Sequence, residues 1–149
     1  MPIELMTRVT PEIIEDFDRL IPQLSSHAEP PTEDALAAMA ESPDILVFLA
    51  RSSEEGSSIV GSATLAITQS PTGRHAWIED VVVDSDACGQ GLGRALTEAC
   101  LQGARELGLS EVNLTSRPSR VAANALYRSI GFVQRETNVY RYTLGEERG

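Results

Sequence analysis

The chain is short of several things, and each shortage removes a class of function. Its two cysteines, Cys88 and Cys100, are too few and too plainly spaced for a disulfide framework or a metal site, and no metal is expected. No apolar run approaches the ~20 residues that span a bilayer, so no membrane partner is expected. The opening stretch MPIELMTRVTPE lacks the basic-then-apolar pattern of a secretory leader, which makes a cytoplasmic protein the expectation. Positive charge is scarce as well. Twelve basic against 22 acidic side chains leave a formal net charge of −10, which argues against non-specific nucleic-acid binding. That balance is compatible with a cationic substrate drawn to an acidic mouth. No repeat, low-complexity tract or linker interrupts the sequence, so residues 1–149 read as one domain.

Periodicity organises the rest. IELMTRVT reads as a first strand. Thr10 then caps a helix with Pro11 in its first turn, and Ile13, Ile14, Phe17, Leu20 and Ile21 recur at helical spacing. SSHAEPP breaks that helix, and Thr32 caps a shorter one through Ala40. Three strand-like runs follow, DILVFLARS, SIVGSATLAITQ and AWIEDVVVD, with turns at Ser53–Ser58 and Ser70–Arg74. Short turns between successive strands predict an antiparallel meander. Leu92, Ala95, Leu96, Ala99, Cys100, Gly103 and Leu107 then form one helical stripe. A strand EVNLTS, a helix from about Ser119 to Ile130 capped by Gly131, and strand material in FVQRETNVYRYTL, in the form of a bent pair, complete the chain. The order predicts an α/β (α+β) fold with a sheet of mixed direction.

The stretch DVVVDSDACGQGLGRAL places Gly89, Gly91 and Gly93 between a strand and a helix start. Three phosphate-binding patterns compete for it. A P-loop needs a lysine after its last glycine, and none follows here. A dinucleotide fingerprint needs a third glycine where Arg94 or Leu96 stands, and the next strand ends in LTS without an acidic residue for a ribose. The third pattern is a pyrophosphate lying along a loop that becomes a helix N-terminus. There the backbone N–H groups from about Gln90 to Arg94 converge on phosphate oxygens, aided by the helix dipole and the Arg94 charge. A tight strand-to-helix turn would need one glycine rather than three.

At this point the sequence resembles the GCN5-related N-acetyltransferase (GNAT) superfamily, which has Gln or Arg, two residues, Gly, one residue and Gly or Ala between its fourth strand and third helix. Gly91 and Gly93 match the small positions, and Cys88 stands where Arg or Gln is usual. In SRVAANALYRSIGF, Ala123, Leu126, Tyr127, Gly131 and Phe132 match a second family pattern. Arg120 takes that pattern's asparagine position, with Asn124 a turn later. WIEDVVVD is similar to the fourth strand of glucosamine-6-phosphate N-acetyltransferases. The resemblance runs from about Ile45 to Leu144. It implies a GNAT fold with six to seven strands flanked by about four helices, and an enzyme moving an acetyl group from acetyl-CoA to a primary amine. The coenzyme-binding set it implies is Val82, Val83, Cys88, Gly89, Gln90, Gly91, Leu92, Gly93, Arg94, Arg120, Asn124 and Tyr127.

Acyl transfer from a thioester to an amine needs a proton sink, donors for the oxyanion and a proton for the departing thiolate. Glu79 and Asp80 are the candidate bases. Strand alternation puts Glu79 on the face of Trp77, Val81 and Val83, and Asp80 on that of Ile78 and Val82. A carboxylate enclosed by so apolar a strand is a usable base, directly or through water. His75 is a weaker candidate, and Cys88 has no histidine nearby to make it a nucleophile. By resemblance, an N–H near Val82 or Val83 donates to the oxyanion, Tyr127 is the general acid, and Tyr140, Arg141 and Tyr142 line the acceptor pocket. A small cationic amine or a peptide amine suits the acidic balance, and a homodimer is a further expectation. A non-catalytic acyl-CoA-binding sensor or regulatory module is the alternative.

Overall fold

The computed structural model describes residues 3–52 and 57–145. The chain divides into two compact units, Met1–Thr115 and Ser116–Gly149. The first unit contains β1 (Ile3–Leu5), α1 (Pro11–Leu24), α2 (Glu33–Glu41), β2 (Ile45–Arg51), β3 (Ile59–Ser70), β4 (Gly73–Val83), a 3-10 turn (Ser85–Ala87), α3 (Leu92–Glu106) and β5 (Val112–Asn113). The second contains α4 (Val121–Ile130).

The helix starts follow from local chemistry. Thr10 Oγ1 accepts from the Ile13 N–H at 3.2 Å and Thr32 Oγ1 from the Ala35 N–H at 3.1 Å, so both predicted caps form. β2, β3 and β4 make the predicted antiparallel meander; β1 joins β2 antiparallel and β5 joins β4 parallel, in the order β1-β2-β3-β4-β5. The β3–β4 hairpin closes with Ser70 opposite Gly73, leaving Pro71 and Thr72 at its tip. Of the turn expected at 53–58, residues 53–56 lie outside the described residues.

The sheet has five strands, not six to seven. Residues 132–144 form no strand, and Val133, Val139, Tyr140, Tyr142 and Leu144 are exposed. Strand propensity expresses how a side chain fits a pleated surface, and it yields a strand only where a neighbour takes up the backbone hydrogen bonds. β1 and β5 are likewise shorter than the runs IELMTRVT and EVNLTS.

Two apolar layers sandwich the sheet. On one face Ile13, Phe17 and Leu20 of α1 and Leu36 of α2 meet Val47 and Leu49 of β2, Ile59 and Val82. The alternate β2 residues point the other way, toward α3. A Cβ at Gly103 would stand 3.2 Å from Phe48 and 3.3 Å from Leu46, so α3 approaches β2 closely through a missing side chain. The buried side of α3 is Leu92, Leu96, Thr97, Cys100, Gly103 and Ala104. Ala95, Ala99 and Leu107, expected on that stripe, are half-buried. Thr97 is tolerated inside because its hydroxyl donates to the Gly93 carbonyl at 2.7 Å.

Candidate active site

The site begins with an irregularity in β4. Thr64 pairs with Glu79 and Ser62 with Val82, so Asp80 and Val81 oppose Ala63 alone: a β-bulge. Asp80 carries it with φ +52°, a left-handed conformation that aspartate tolerates better than most residues. The extra residue reverses the alternation. Ile78 is buried toward α3, whereas Val82 is buried among α1, α2 and β2. Glu79 therefore shares a face with Trp77 and Val82, not with Val81 and Val83. Glu79 and Asp80 are both exposed, so the expected apolar enclosure of these carboxylates is absent. β5 pairs with Ala76 and Trp77, and among the described residues no further strand pairs with the β5-side edge of β4 from Ile78 to Val83.

Beyond the bulge, Asp84 caps the 3-10 turn with Oδ1, 3.1 Å from the Asp86 N–H. That bond foremost, with Arg19 and Gln23 beside it, holds the Asp84 carboxyl below the usual carboxylate range against the opposing effect of burial. Cys88 is extended and exposed, and its Sγ lies 3.7 Å from the Asp84 carbonyl. Gly89 and Gly91 follow with φ +84° and +74°. A Cβ at either would meet nothing within 4 Å, so their backbone shape, not crowding, calls for glycine.

Gly91 is the N-cap of α3 and makes no side-chain cap, in contrast to Thr10 and Thr32. The first-turn N–H groups of a helix have no partner inside it. Here the sequence also omits the side chain that would satisfy one of them, and an anion suits the position. Gln90 is exposed; Leu92 is buried, so only its backbone remains for a ligand; Gly93 and Arg94 are half-buried. Arg94 Nη1 lies 3.7 Å from Glu98 Oε2. Residues 88–91 thus lead from the 3-10 turn to the start of α3, and residues 92–94 open that helix. The Val82 side chain belongs to the core rather than to this surface; Val83 is half-buried beside it.

Arg120, Asn124 and Tyr127 belong to the second unit. Arg120 is the exposed N-cap of α4 and contributes no side-chain cap. Asn124 Nδ2 donates to the Arg117 carbonyl at 2.9 Å, fixing the approach to its own helix. Tyr127 is half-buried and packs edge-to-face on Phe132 at 5.7 Å. The half-buried side of α4 is Ala123, Asn124, Leu126, Tyr127 and Ile130, while the apolar Val121, Ala122 and Ala125 are exposed. Gly131 caps the helix as predicted. Elsewhere, His75 Nε2 is engaged with Ser70 Oγ at 3.0 Å and Thr72 Oγ1 at 2.9 Å, across the tip of the β3–β4 hairpin.

Three residues escaped the sequence reading of this site: Arg19, Gln23 and Asp84. Arg19 was legible only as a rare cation; its partner Asp84 lies 65 positions away.

The Acetyltransferase (GNAT) family model matches residues 10–132. The chain belongs to the GNAT acetyltransferase family. Among GNAT relatives it is 30% identical to glucosamine 6-phosphate N-acetyltransferase 1 of Oryza sativa subsp. japonica over 146 residues, 91% of this chain and 86% of that protein. The similarity expected from the fourth strand thus extends along most of the chain. It is 48% identical to mycothiol acetyltransferase of Saccharomonospora viridis over 65 residues, 44% of this chain but only 21% of that longer protein. A solved Trypanosoma brucei acetyltransferase superposes with a TM-score of 0.73 at 30% identity, covering 96% of this chain and 100% of that one. No helix among the described residues is long and apolar enough to cross a membrane.

Proposed function

We propose that this protein is a single-domain N-acetyltransferase that moves an acetyl group from acetyl-CoA to a primary amine by direct attack. The observation that carries the reading is the uncapped start of α3, entered through two left-handed glycines just past the 3-10 turn that follows a bulged strand. The residues fit the coenzyme. Backbone N–H groups from Gln90 to Arg94 hold its pyrophosphate, with Cys88 and Gly89 shaping the approach and Arg94 adding charge. Acetyl-CoA supplies the activated thioester. Glu79, or Asp80 beside it, takes the proton from the incoming ammonium, directly or through water; their exposure suits an acceptor arriving from solvent. The unpaired edge of β4 near Val82 and Val83 offers an N–H to the developing oxyanion. Tyr127 protonates the departing thiolate, with Arg120 and Asn124 near the coenzyme, as the family resemblance implies.

The acceptor is a small cationic amine or a peptide amine. A sugar phosphate would call for a basic pocket, and Arg19, in the segment before β2, is engaged with Asp16 and Asp84. The test is acetyl-CoA-dependent thiol release over a panel of polyamines, aminoglycosides, peptide N-termini and hexosamine phosphates, alongside thermal shifts with CoA. CoA at 100 times its Kd adds ~2.7 kcal/mol, a shift easily read. Stabilisation by CoA without thiol release from any amine would leave the non-catalytic acyl-CoA-binding module. Stabilisation by ADP or NAD but not by CoA would overturn the reading.

A further inference from the structure

The coenzyme loop is anchored by a helix that contributes nothing to the glycine motif. Arg19, on α1, spreads its guanidinium over three attachments: Nε donates to Asp84 Oδ2 at 3.0 Å, Nη1 to Asp16 Oδ1 at 2.9 Å and Nη2 to the Ile59 carbonyl at 2.6 Å. Asp16 closes the ring by accepting from the Ile59 N–H at 2.9 Å. One turn along α1, Gln23 Oε1 accepts from the Ser85 N–H at 2.9 Å. Asp84 and Ser85 are the residues by which the chain leaves β4. The Asp84 N–H donates to Val60 and its carbonyl accepts from Ala87, both at 2.8 Å. From Cys88 to Gly91 the chain is exposed, until Leu92 enters the core.

The cradle therefore hangs between two anchors: Leu92 on its α3 side, and the Arg19–Asp84 and Gln23–Ser85 contacts on its β4 side. Asp16 and Asp84 are 6% and 7% exposed, so two buried carboxylates share one cation. A forked donor is needed for this, since a lysine presents only a point charge. We propose that Arg19 and Gln23 are positioning residues for coenzyme binding, which fix Asp84 and Ser85 so that the amides of Gln90–Arg94 keep the arrangement a pyrophosphate requires. The inference rests on reading residues 88–94 as the coenzyme cradle.

The test compares wild type with Gln23→Ala, Arg19→Met and Arg19→Lys by CoA calorimetry, steady-state kinetics and amide hydrogen exchange. The expected result for Arg19→Met is a CoA Kd and acetyl-CoA KM raised on the order of 10-fold: of the three bonds lost, the charged one to Asp84 bears directly on the loop. Gln23→Ala should move both in the same direction by less, and Arg19→Lys should recover part of the loss. At saturating acetyl-CoA, kcat stays within about twofold of wild type, because the reacting groups are untouched. Without any ligand, amides of residues 85–91 exchange faster in both Gln23→Ala and Arg19→Met, while those of β3 from Leu65 to Ser70, beyond the Ile59 and Val60 contacts, do not. Should Arg19→Met fail to fold, Gln23→Ala decides alone, since Gln23 is exposed. Wild type that binds CoA, beside folded variants with unchanged Kd and exchange, overturns the positioning role only. Wild type that does not bind CoA overturns the cradle itself, and this inference with it.

Discussion

Replacing Gly91 with asparagine should weaken coenzyme binding while leaving the fold nearly intact. At φ +74° and ψ 18° the position is left-handed, and a Cβ there meets no atom within 4 Å. The cost to the fold is therefore conformational rather than steric. For alanine that cost is about 1–2 kcal/mol, offset by ~0.4–1 kcal/mol because the unfolded chain also loses freedom. The net loss of about 1 kcal/mol lowers the Tm by roughly 2–4 °C in a domain of this size. Asparagine tolerates the left-handed region, so its loss is smaller still. Binding responds differently. A phosphate oxygen must come within ~2.7–3.2 Å of the first-turn amides, and the new carboxamide stands in the open space beside them. A 10-fold rise in the acetyl-CoA KM corresponds to ~1.4 kcal/mol, and at least that is expected. Gly103→Ala supplies the opposite pattern: its methyl group would press on Phe48 at 3.2 Å and Leu46 at 3.3 Å. Overpacking of that kind costs ~1–3 kcal/mol, offset by about 1 kcal/mol because alanine replaces a glycine inside a helix, with no change in KM. Differential scanning calorimetry and CoA titration of both variants decide the matter. Gly91→Asn binding CoA as tightly as wild type refutes the cradle.

Other outcomes are equally definite. Tyr127→Phe lowers kcat with little effect on CoA affinity, since the ring that packs on Phe132 is kept; an unaltered kcat, with chemistry shown to be rate-limiting, removes the tyrosine from the acid role. A native-state thiol titration should find Cys88 reactive and Cys100 silent until unfolding, because burial pushes the Cys100 thiol up to about 12 and encloses it; prompt reaction of both would contradict the packing of α3. The Asp84 carboxyl has a folded-state pKa below its ordinary value of 3.8. Its contribution is accordingly complete above that value and lost as pH falls through the lower folded-state value. Acid unfolding of Asp84→Asn, followed by circular dichroism, should be less steep than that of wild type below about pH 4; identical slopes would mean that Asp84 is not held ionised by its neighbours.

What the sequence settled by itself was short in range. Thr10 and Thr32 cap their helices, Gly131 ends α4, the meander closes through Pro71 and Thr72, and the alternate glycines mark the turn into α3. Each depends on a handful of neighbouring residues, so the pattern carries its own cause. The family followed from such stretches taken in order.

Tertiary structure decided the rest, wherever a residue's role depends on a partner the local pattern does not contain. The bulge at Asp80 exists because β4 has one more residue than β3 across the same span, a fact about two strands and not about either. It turned Val82 toward the α1 layer and left Glu79 and Asp80 in solvent. FVQRETNVYRYTL has strand-forming side chains and no strand, since alternation supplies a face but not a neighbour. Arg19 meets Asp84 only after the sheet has brought α1 to the end of β4, and that contact ties α1 to the point where the chain leaves the strand.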